Sequence, residues 1–212
     1  MKQIKIQQQN FVLHSSGAIY WIEKATLILA DPHLGKIAHF RKNGIAVPRK
    51  AEGAFYNKVA RMIDQFEIKR FLFLGDLFHS YQNNEWYMFS SWVKNQKAKI
   101  ILVEGNHDVI PANKFEKIGI TVVKELIEEY FYFSHFPSKK EGYFTFCGHV
   151  HPGIKLKGSG LQKLKMPCFF NSTHQMILPA FGAFTGLHIL IPKKEDKIYV
   201  TTGKEVIEIG EN

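Results

Sequence analysis

The amino-acid sequence predicts an α/β protein in which two β-sheets stack face to face and carry helices on their outer faces. Three observations predict it. Strand and helix patterns alternate as far as Ile118, only short strand patterns follow from Ile120 onward, and no repeat or low-complexity linker interrupts the 212 residues. That length suits one well-buried core. We therefore expect a single domain over residues 1–212.

The first half of the chain alternates strands and helices. Residues 3–30 contain three strand-like segments, the first ending near His14, and a turn at Ser15-Ser16-Gly17 leads into the second. Apolar residues at helical spacing predict a helix over residues 51–66 and another around residues 86–93. Strands are predicted at 70–74 and 99–103, and a short helix from Pro111 to Ile118.

The second half of the chain reads as short strands only. They are predicted at 121–123, 126–133, 143–147, 154–156, 168–171, 176–178, 187–191, 198–201 and 206–209.

Composition limits the functional classes. The formal net charge is +9 and the isoelectric point is about 9.4, which favours an anionic partner. Both cysteines, Cys147 and Cys168, lie in apolar strand-like runs and are expected to be buried, reduced thiols of a cytoplasmic protein. No apolar run approaches the roughly 20 residues that span a bilayer, so no membrane partner is expected.

Polar loops with metal-ligand side chains follow several of the predicted strands. α/β proteins commonly place functional residues in such loops. The loops are Asp31-Pro32-His33, Gly75-Asp76, Gly105-Asn106-His107-Asp108 and Gly148-His149-Val150-His151, and His135 ends a further apolar run.

These residue types match what a pair of divalent metal ions requires. Such a pair needs oxygen and imidazole ligands from separate loops and one carboxylate that bridges the ions. Asp31 and His33 can face one ion together, Asp76 is the natural bridge, and Asn106 offers an amide oxygen. His149 and His151, two residues apart, can reach different ions; His135 is the remaining imidazole.

A single histidine is more often an ordinary surface or core residue than a metal ligand. Repetition of one loop pattern reverses this expectation for the group. The histidines outside the pattern are interpreted as structural, namely His14, His79, His174 and His188.

Two basic stretches without acidic residues could bind phosphate groups. Residues 36–50 follow the Asp31 loop, and Lys36, His39 and Arg41 are the candidate phosphate-binding residues there. The alternative is a solvated linker. The second stretch, residues 155–165, contains four lysines. Phe40 and Phe136 are candidates for stacking against nucleobases.

The five motifs, in this order, resemble those of the calcineurin-like metallophosphoesterases. The resemblance implies a four-layer α-β-β-α sandwich of two mixed sheets and two divalent ions, with Mn²⁺ expected and Fe or Zn possible. It assigns one ion to Asp31, His33, Asp76 and His151 and the other to Asp76, Asn106, His135 and His149. A metal-bridging hydroxide would attack phosphorus in line, His107 would face the substrate, and Asp108 would orient the ring of His107.

Residues 29–48 further resemble the ligase-associated metallophosphoesterases of the PdeM group, through Leu29-Ala30-Asp31-Pro32-His33-Leu34-Gly35-Lys36 and His39-Phe40-Arg41. Pro32 replaces the more usual Leu, and Ser134 stands where many members have Gly. The resemblance implies a phosphodiesterase or nuclease acting on DNA or a nucleotide phosphodiester, in repair alongside an ATP-dependent DNA ligase and a helicase. A phosphomonoesterase or pyrophosphatase acting on a small nucleotide or lipid precursor, and a non-catalytic scaffold, remain as alternatives.

Overall fold

The computed structural model describes residues 1–36, 53–81, 84–158, 162–183 and 185–210. These residues form two β-sheets that stack face to face, with helices against one of them. The predicted α/β sandwich of two mixed sheets is confirmed. No helix in the described ranges is long and apolar enough to cross a bilayer.

The first sheet has its seven described strands in chain order. Strands β1 to β4 form an antiparallel meander, and β4 to β7 run parallel to one another. The parallel part puts the ends of β4, β5 and β6 at one edge, where their loops meet. The strands are β1 (Lys2–Ile6), β2 (Gln9–Leu13), β3 (Ile19–Trp21), β4 (Thr26–Leu29), β5 (Arg70–Leu74), β6 (Lys99–Val103) and β7 (Ile120–Val123).

The helices of the described ranges pack on one face of the first sheet. They are α1 (Ala54–Gln65), α2 (Asn84–Lys94) and α3 (Ala112–Glu116). Phe55, Val59 and Met62 lie at helical spacing on α1 and are buried in the same cluster as Leu27 of β4. Ile28, one residue further along β4, belongs to the cluster between the two sheets because neighbouring strand residues point to opposite faces.

The second sheet is also mixed. Its order in the described residues is β14-β11-β12-β13-β10-β9-β8, with β15 paired to β12 and β16 paired to β15. The strands are β8 (Leu126–Glu128), β9 (Phe131–Phe133), β10 (Phe144–Cys147), β11 (Pro152–Lys157), β12 (Lys163–Asn171), β13 (Gln175–Ile177), β14 (His188–Ile189), β15 (Lys197–Thr201) and β16 (Val206–Ile209).

An aromatic cluster joins the two sheets. Phe11 of β2 contacts Phe146 of β10 with ring centroids 5.0 Å apart, and Trp21 of β3 contacts Phe131 of β9 at 5.1 Å. All four rings belong to one buried cluster. This packing holds the parallel pair β9 and β10 over the first sheet, so the loops of both sheets can converge.

Two predicted strands are hairpins. The segment expected to run to His14 turns at Gln7 and Gln8, whose φ angles are 46° and 63°. The segment 126–133 turns at Glu129, with φ of 54°. None of the three residues is a Gly or Asn, the residues that usually mark such turns, so neither turn has a signal in the sequence.

The expected helical layer on the second sheet is not found in the described ranges. Its strands there follow one another through turns and loops without helices, and Leu190 and Val150 pack on its outer cluster instead. That cluster contains Cys147 and Cys168, which are buried and free, as predicted. Burial raises the pKa of both thiols.

Candidate metal centre

Five loops converge where the two sheets meet. Asp31, Asp76 and Asn106 follow the parallel strands β4, β5 and β6 at one edge of the first sheet. His135 follows β9, and the loop of residues 148–151 follows β10, its parallel neighbour. Because parallel strands end at the same edge, each sheet presents its ligand-bearing loops together.

One group of side chains consists of Asp31, His33 and His151. Each offers a ligand atom, and these atoms lie within 4.8 Å of one another. The Nε2 atoms of His33 and His151 are 3.2 Å apart, and Nε2 of His151 lies 3.7 Å from Oδ1 of Asp31. Burial, followed by the charge of His151, lowers the pKa of His33 to about 3. A neutral imidazole is the form that binds a metal.

The second group consists of Asp76, His135 and His149, again with ligand atoms within 4.8 Å of one another. Nε2 of His135 lies 2.9 Å from Oδ1 of Asn106 and 3.2 Å from Nδ1 of His149. Nδ1 of His135 is 2.9 Å from the carbonyl oxygen of Leu74, and a proton donated there leaves Nε2 free to act as a ligand. Burial lowers the pKa of His149.

Asp76 lies between the two groups. Its Oδ2 is 3.8 Å from Nε2 of His33, and its Oδ1 is 3.4 Å from Nε2 of His135. Its side chain is buried, as is that of Asp31. Imidazole nitrogens and carboxylate oxygens that converge in this way fit two divalent ions with one shared carboxylate.

The backbone is strained at these residues. The φ angle is positive at Asp31, His33, Asp76, His149 and His151, with values of 48° to 67°. Such a conformation costs about 1–3 kcal/mol at a residue other than glycine, and it persists only where the surrounding structure enforces it. Backbone strain at the residues whose side chains converge is typical of functional sites.

Two glycines allow the loops to approach each other. A Cβ atom on Gly105 would collide with the backbone nitrogen and side chain of Asp76. A Cβ on Gly75, where φ is 80°, would collide with the ring of His135 and lie 2.9 Å from Cα of Gly105. The Gly-Asp and Gly-Asn-His-Asp motifs therefore require glycine for close packing.

Comparisons with known proteins agree with this geometry. A family model for the calcineurin-like phosphoesterases matches residues 25–198. The chain belongs to this family. Its members bind divalent metal ions and hydrolyse phosphoesters, and the two groups described above could hold such ions.

Two solved structures resemble this phosphoesterase. The Pseudomonas putida nuclease MPE superposes with a TM-score of 0.83 at 27% sequence identity, over 98% of this chain and 99% of that one. A protein of unknown function from Aquifex aeolicus, AQ665, gives a TM-score of 0.45 at 18% identity, over 64% of this chain and 82% of that one. No curated protein matched the sequence.

In the phosphoesterase, Asp108 holds the loops together. Its carboxylate accepts hydrogen bonds from the backbone amides of Asp76, Leu77, Phe78 and Gly105, at 2.8 to 3.2 Å. Burial raises its pKa to about 6, although the hydrogen bonds from the amides of Gly105, Phe78 and Leu77 oppose the shift. It makes no hydrogen bond to the ring of His107 among the described residues, which differs from the expectation that it orients that ring.

His107 lies beside the first group. Its backbone amide donates to Oδ1 of Asp76 at 2.8 Å, its side chain is exposed, and its ring centroid is 5.9 Å from that of His33. An exposed imidazole next to the metal ligands can contact a bound phosphoryl group.

His79 is a site neighbour that the sequence interpretation missed. Its ring lies 5.6 Å from that of His33 and 5.3 Å from that of His107. Its backbone amide donates to the carbonyl oxygen of Leu34 at 2.8 Å, which holds the Asp76 loop against the Asp31 loop. Its position three residues after Asp76 was the sequence feature that could have indicated a place near the site.

The remaining candidates are partly described. Lys36 lies close enough to His33 and Asp76 for its charge to act on them, and burial lowers its pKa. His39 and Arg41 lie outside the described residues, as does Phe40. Phe136 has 49% of its surface exposed, and its ring lies 4.6 Å from that of His149.

Proposed function

We infer that the chain, as a single domain, is a metal-dependent phosphodiesterase that hydrolyses phosphodiester bonds of nucleic acid. The observation that carries the proposal is the pair of ligand groups on either side of Asp76, with His107 exposed beside them. Similarity to a nuclease over nearly the full length of both chains supports the substrate class. A formal net charge of +9 suits a polyanionic substrate.

The proposed ligand sets share one carboxylate. Asp31, His33, Asp76 and His151 would hold one divalent ion. Asp76, Asn106, His135 and His149 would hold the other. Ions bound there would supply Lewis-acid stabilisation of the phosphoryl charge and lower the pKa of an attacking water. We expect Mn²⁺, with Fe or Zn possible, since a mixed set of nitrogen and oxygen ligands does not discriminate sharply among these ions.

His107 is proposed to act on the substrate. Its exposed ring can stabilise charge on the phosphoryl group or protonate the leaving oxygen. Lys36, near Asp76, would add positive charge on the same side. Phe136 is a candidate for stacking on a base, because its half-exposed ring packs against a proposed metal ligand. Cytoplasmic DNA repair with a ligase and a helicase remains the expected context.

The test compares hydrolysis of bis-p-nitrophenyl phosphate and p-nitrophenyl phosphate with Mn²⁺. Wild type is expected to prefer the diester, and Asp76→Ala and His107→Ala to lose this activity. His174→Ala, a histidine outside the site, is the matched control and should behave as wild type. Preference for the monoester would support a phosphomonoesterase instead. Absence of metal-dependent activity on either substrate would contradict the proposal.

A further inference from the structure

The hairpin of β11 and β12 carries four lysines on one face. Its register places Lys155 opposite Lys165 and Lys157 opposite Lys163. Residues two apart on a strand point to the same side, so all four side chains share one face. All four residues are exposed.

This register places positively charged side chains directly opposite each other. Directly opposed side chains have Cβ atoms about 4.5–5.5 Å apart, and like charges at that distance destabilise a sheet. None of the four lysines forms an ion pair within the described ranges, whereas the exposed Lys69 does, with its Nζ 3.2 Å from Oε1 of Glu67. Stability of the fold therefore does not account for the pattern.

The hairpin begins at the metal centre. Strand β11 starts at Pro152, directly after the candidate ligand His151. At about 3.3 Å per residue, Lys155 lies up to about 13 Å along the chain from His151 and Lys157 about 20 Å. The two lysines of one strand are about 6.6 Å apart, comparable to the distance between successive phosphates along an extended nucleic-acid strand.

We propose that this lysine face binds the phosphate backbone of a nucleic-acid strand that extends from the metal centre. The proposal builds on the function proposed above and makes the substrate a polymer. Phosphates would relieve the repulsion between the opposed lysines, and the released counterions would drive binding. We expect this face to bind nucleic acid without preference for base sequence, since contacts with the phosphate backbone do not distinguish the bases.

A second role for the lysines predicts a different outcome. Residues 154–157 of β11 and 163–166 of β12 pair only with each other in the described part of the chain, and lysines on such free edges discourage strand addition by other molecules. Loss of that role would promote aggregation and leave nucleic-acid affinity unchanged.

The experiment measures binding of a fluorescein-labelled 20-nucleotide oligothymidylate by anisotropy, with the full chain and EDTA. The hairpin variant carries Lys155→Gln, Lys157→Gln, Lys163→Gln and Lys165→Gln. The matched control carries the same four changes at exposed lysines near or on the helices, Lys94, Lys97, Lys114 and Lys117. Hydrolysis of bis-p-nitrophenyl phosphate is measured in parallel.

The hairpin variant is expected to bind at least about tenfold more weakly than the control at about 0.1 M salt. Its slope of log affinity against log salt should fall by about 0.7 for each phosphate that the variant no longer neutralises. Its hydrolysis of the small diester should match wild type. Equal binding by hairpin variant and control, or no binding by wild type, would overturn the inference. Absence of diester hydrolysis in wild type would instead contradict the proposed function, and the binding comparison would still stand.

Discussion

Replacing Asp108 by Asn tests whether this residue holds loops or orients His107. The carboxylate accepts four backbone amides, two on each oxygen. An amide side chain keeps one acceptor oxygen and turns an NH₂ group toward the other two donors. The variant therefore lacks two hydrogen bonds to a charged group, and two part-buried N–H groups are left without an acceptor.

The expected magnitude follows from those two bonds. A hydrogen bond to a charged group contributes about 1.5–3 kcal/mol, and leaving a buried donor unpaired costs a similar amount. Relaxation of the loops and access of water to the unpaired N–H groups reduce the summed cost of the two lost hydrogen bonds. Asp108→Asn is therefore expected to lower the free energy of unfolding by about 2–4 kcal/mol. Asp64→Asn on α1, an exposed aspartate, is the control and should stay within about 0.5 kcal/mol of wild type.

Urea unfolding followed by tryptophan fluorescence measures this change, in EDTA so that bound metal adds no stability. A ring-orienting role predicts the opposite combination, namely unchanged stability and reduced hydrolysis. An unfolding free energy for Asp108→Asn within about 0.5 kcal/mol of the Asp64→Asn control would refute the assignment of Asp108 to the loops.

Four further predictions concern the pH response, the site packing, the metal and the hairpin. Burial lowers the pKa of Lys58 to about 8, so the unfolded chain binds more protons above that pH and stability should rise from about pH 8 to about pH 10. Lys58→Met should reduce this increase in the free energy of unfolding by about 2 kcal/mol, measured by urea unfolding at both pH values. An increase as large as that of wild type would contradict the lowered pKa of Lys58. Gly105→Ala should reduce diester hydrolysis about 100-fold, because the methyl group pushes the loop from Asp76; activity within about threefold of wild type would disprove the close packing. Mn²⁺ at about 100 times its dissociation constant should stabilise wild type by about 2.7 kcal/mol in thermal unfolding, and Asp76→Ala should show little of this effect; equal stabilisation of both would argue against Asp76 as a ligand. Lys163→Glu, which faces Lys157, should raise the unfolding free energy by about 0.2–1 kcal/mol in urea unfolding; a decrease would contradict the register.

The sequence was sufficient to predict the elements whose determinants are local. Apolar runs followed by Gly-Asp and Gly-His loops predicted where the strands end. The helical spacing of Phe55, Val59 and Met62 predicted the position of α1 to within a few residues. The hairpin turns at Gln7 and Glu129 escaped prediction because their left-handed backbone is imposed by strand pairing and has no residue signal.

The sequence by itself determined which residue types could bind metal ions, because ligand chemistry belongs to the side chain and the polar loops recur after several of the strands. Only the tertiary structure decided which atoms meet. Asp108 reaches the amides of the Asp76 loop, some 30 residues away, because β5 and β6 are parallel neighbours. His79 lies beside His33 because Leu34 and Phe78 pair across two loops. The opposed lysines arise from the register of β11 and β12, which long-range pairing sets and composition does not encode.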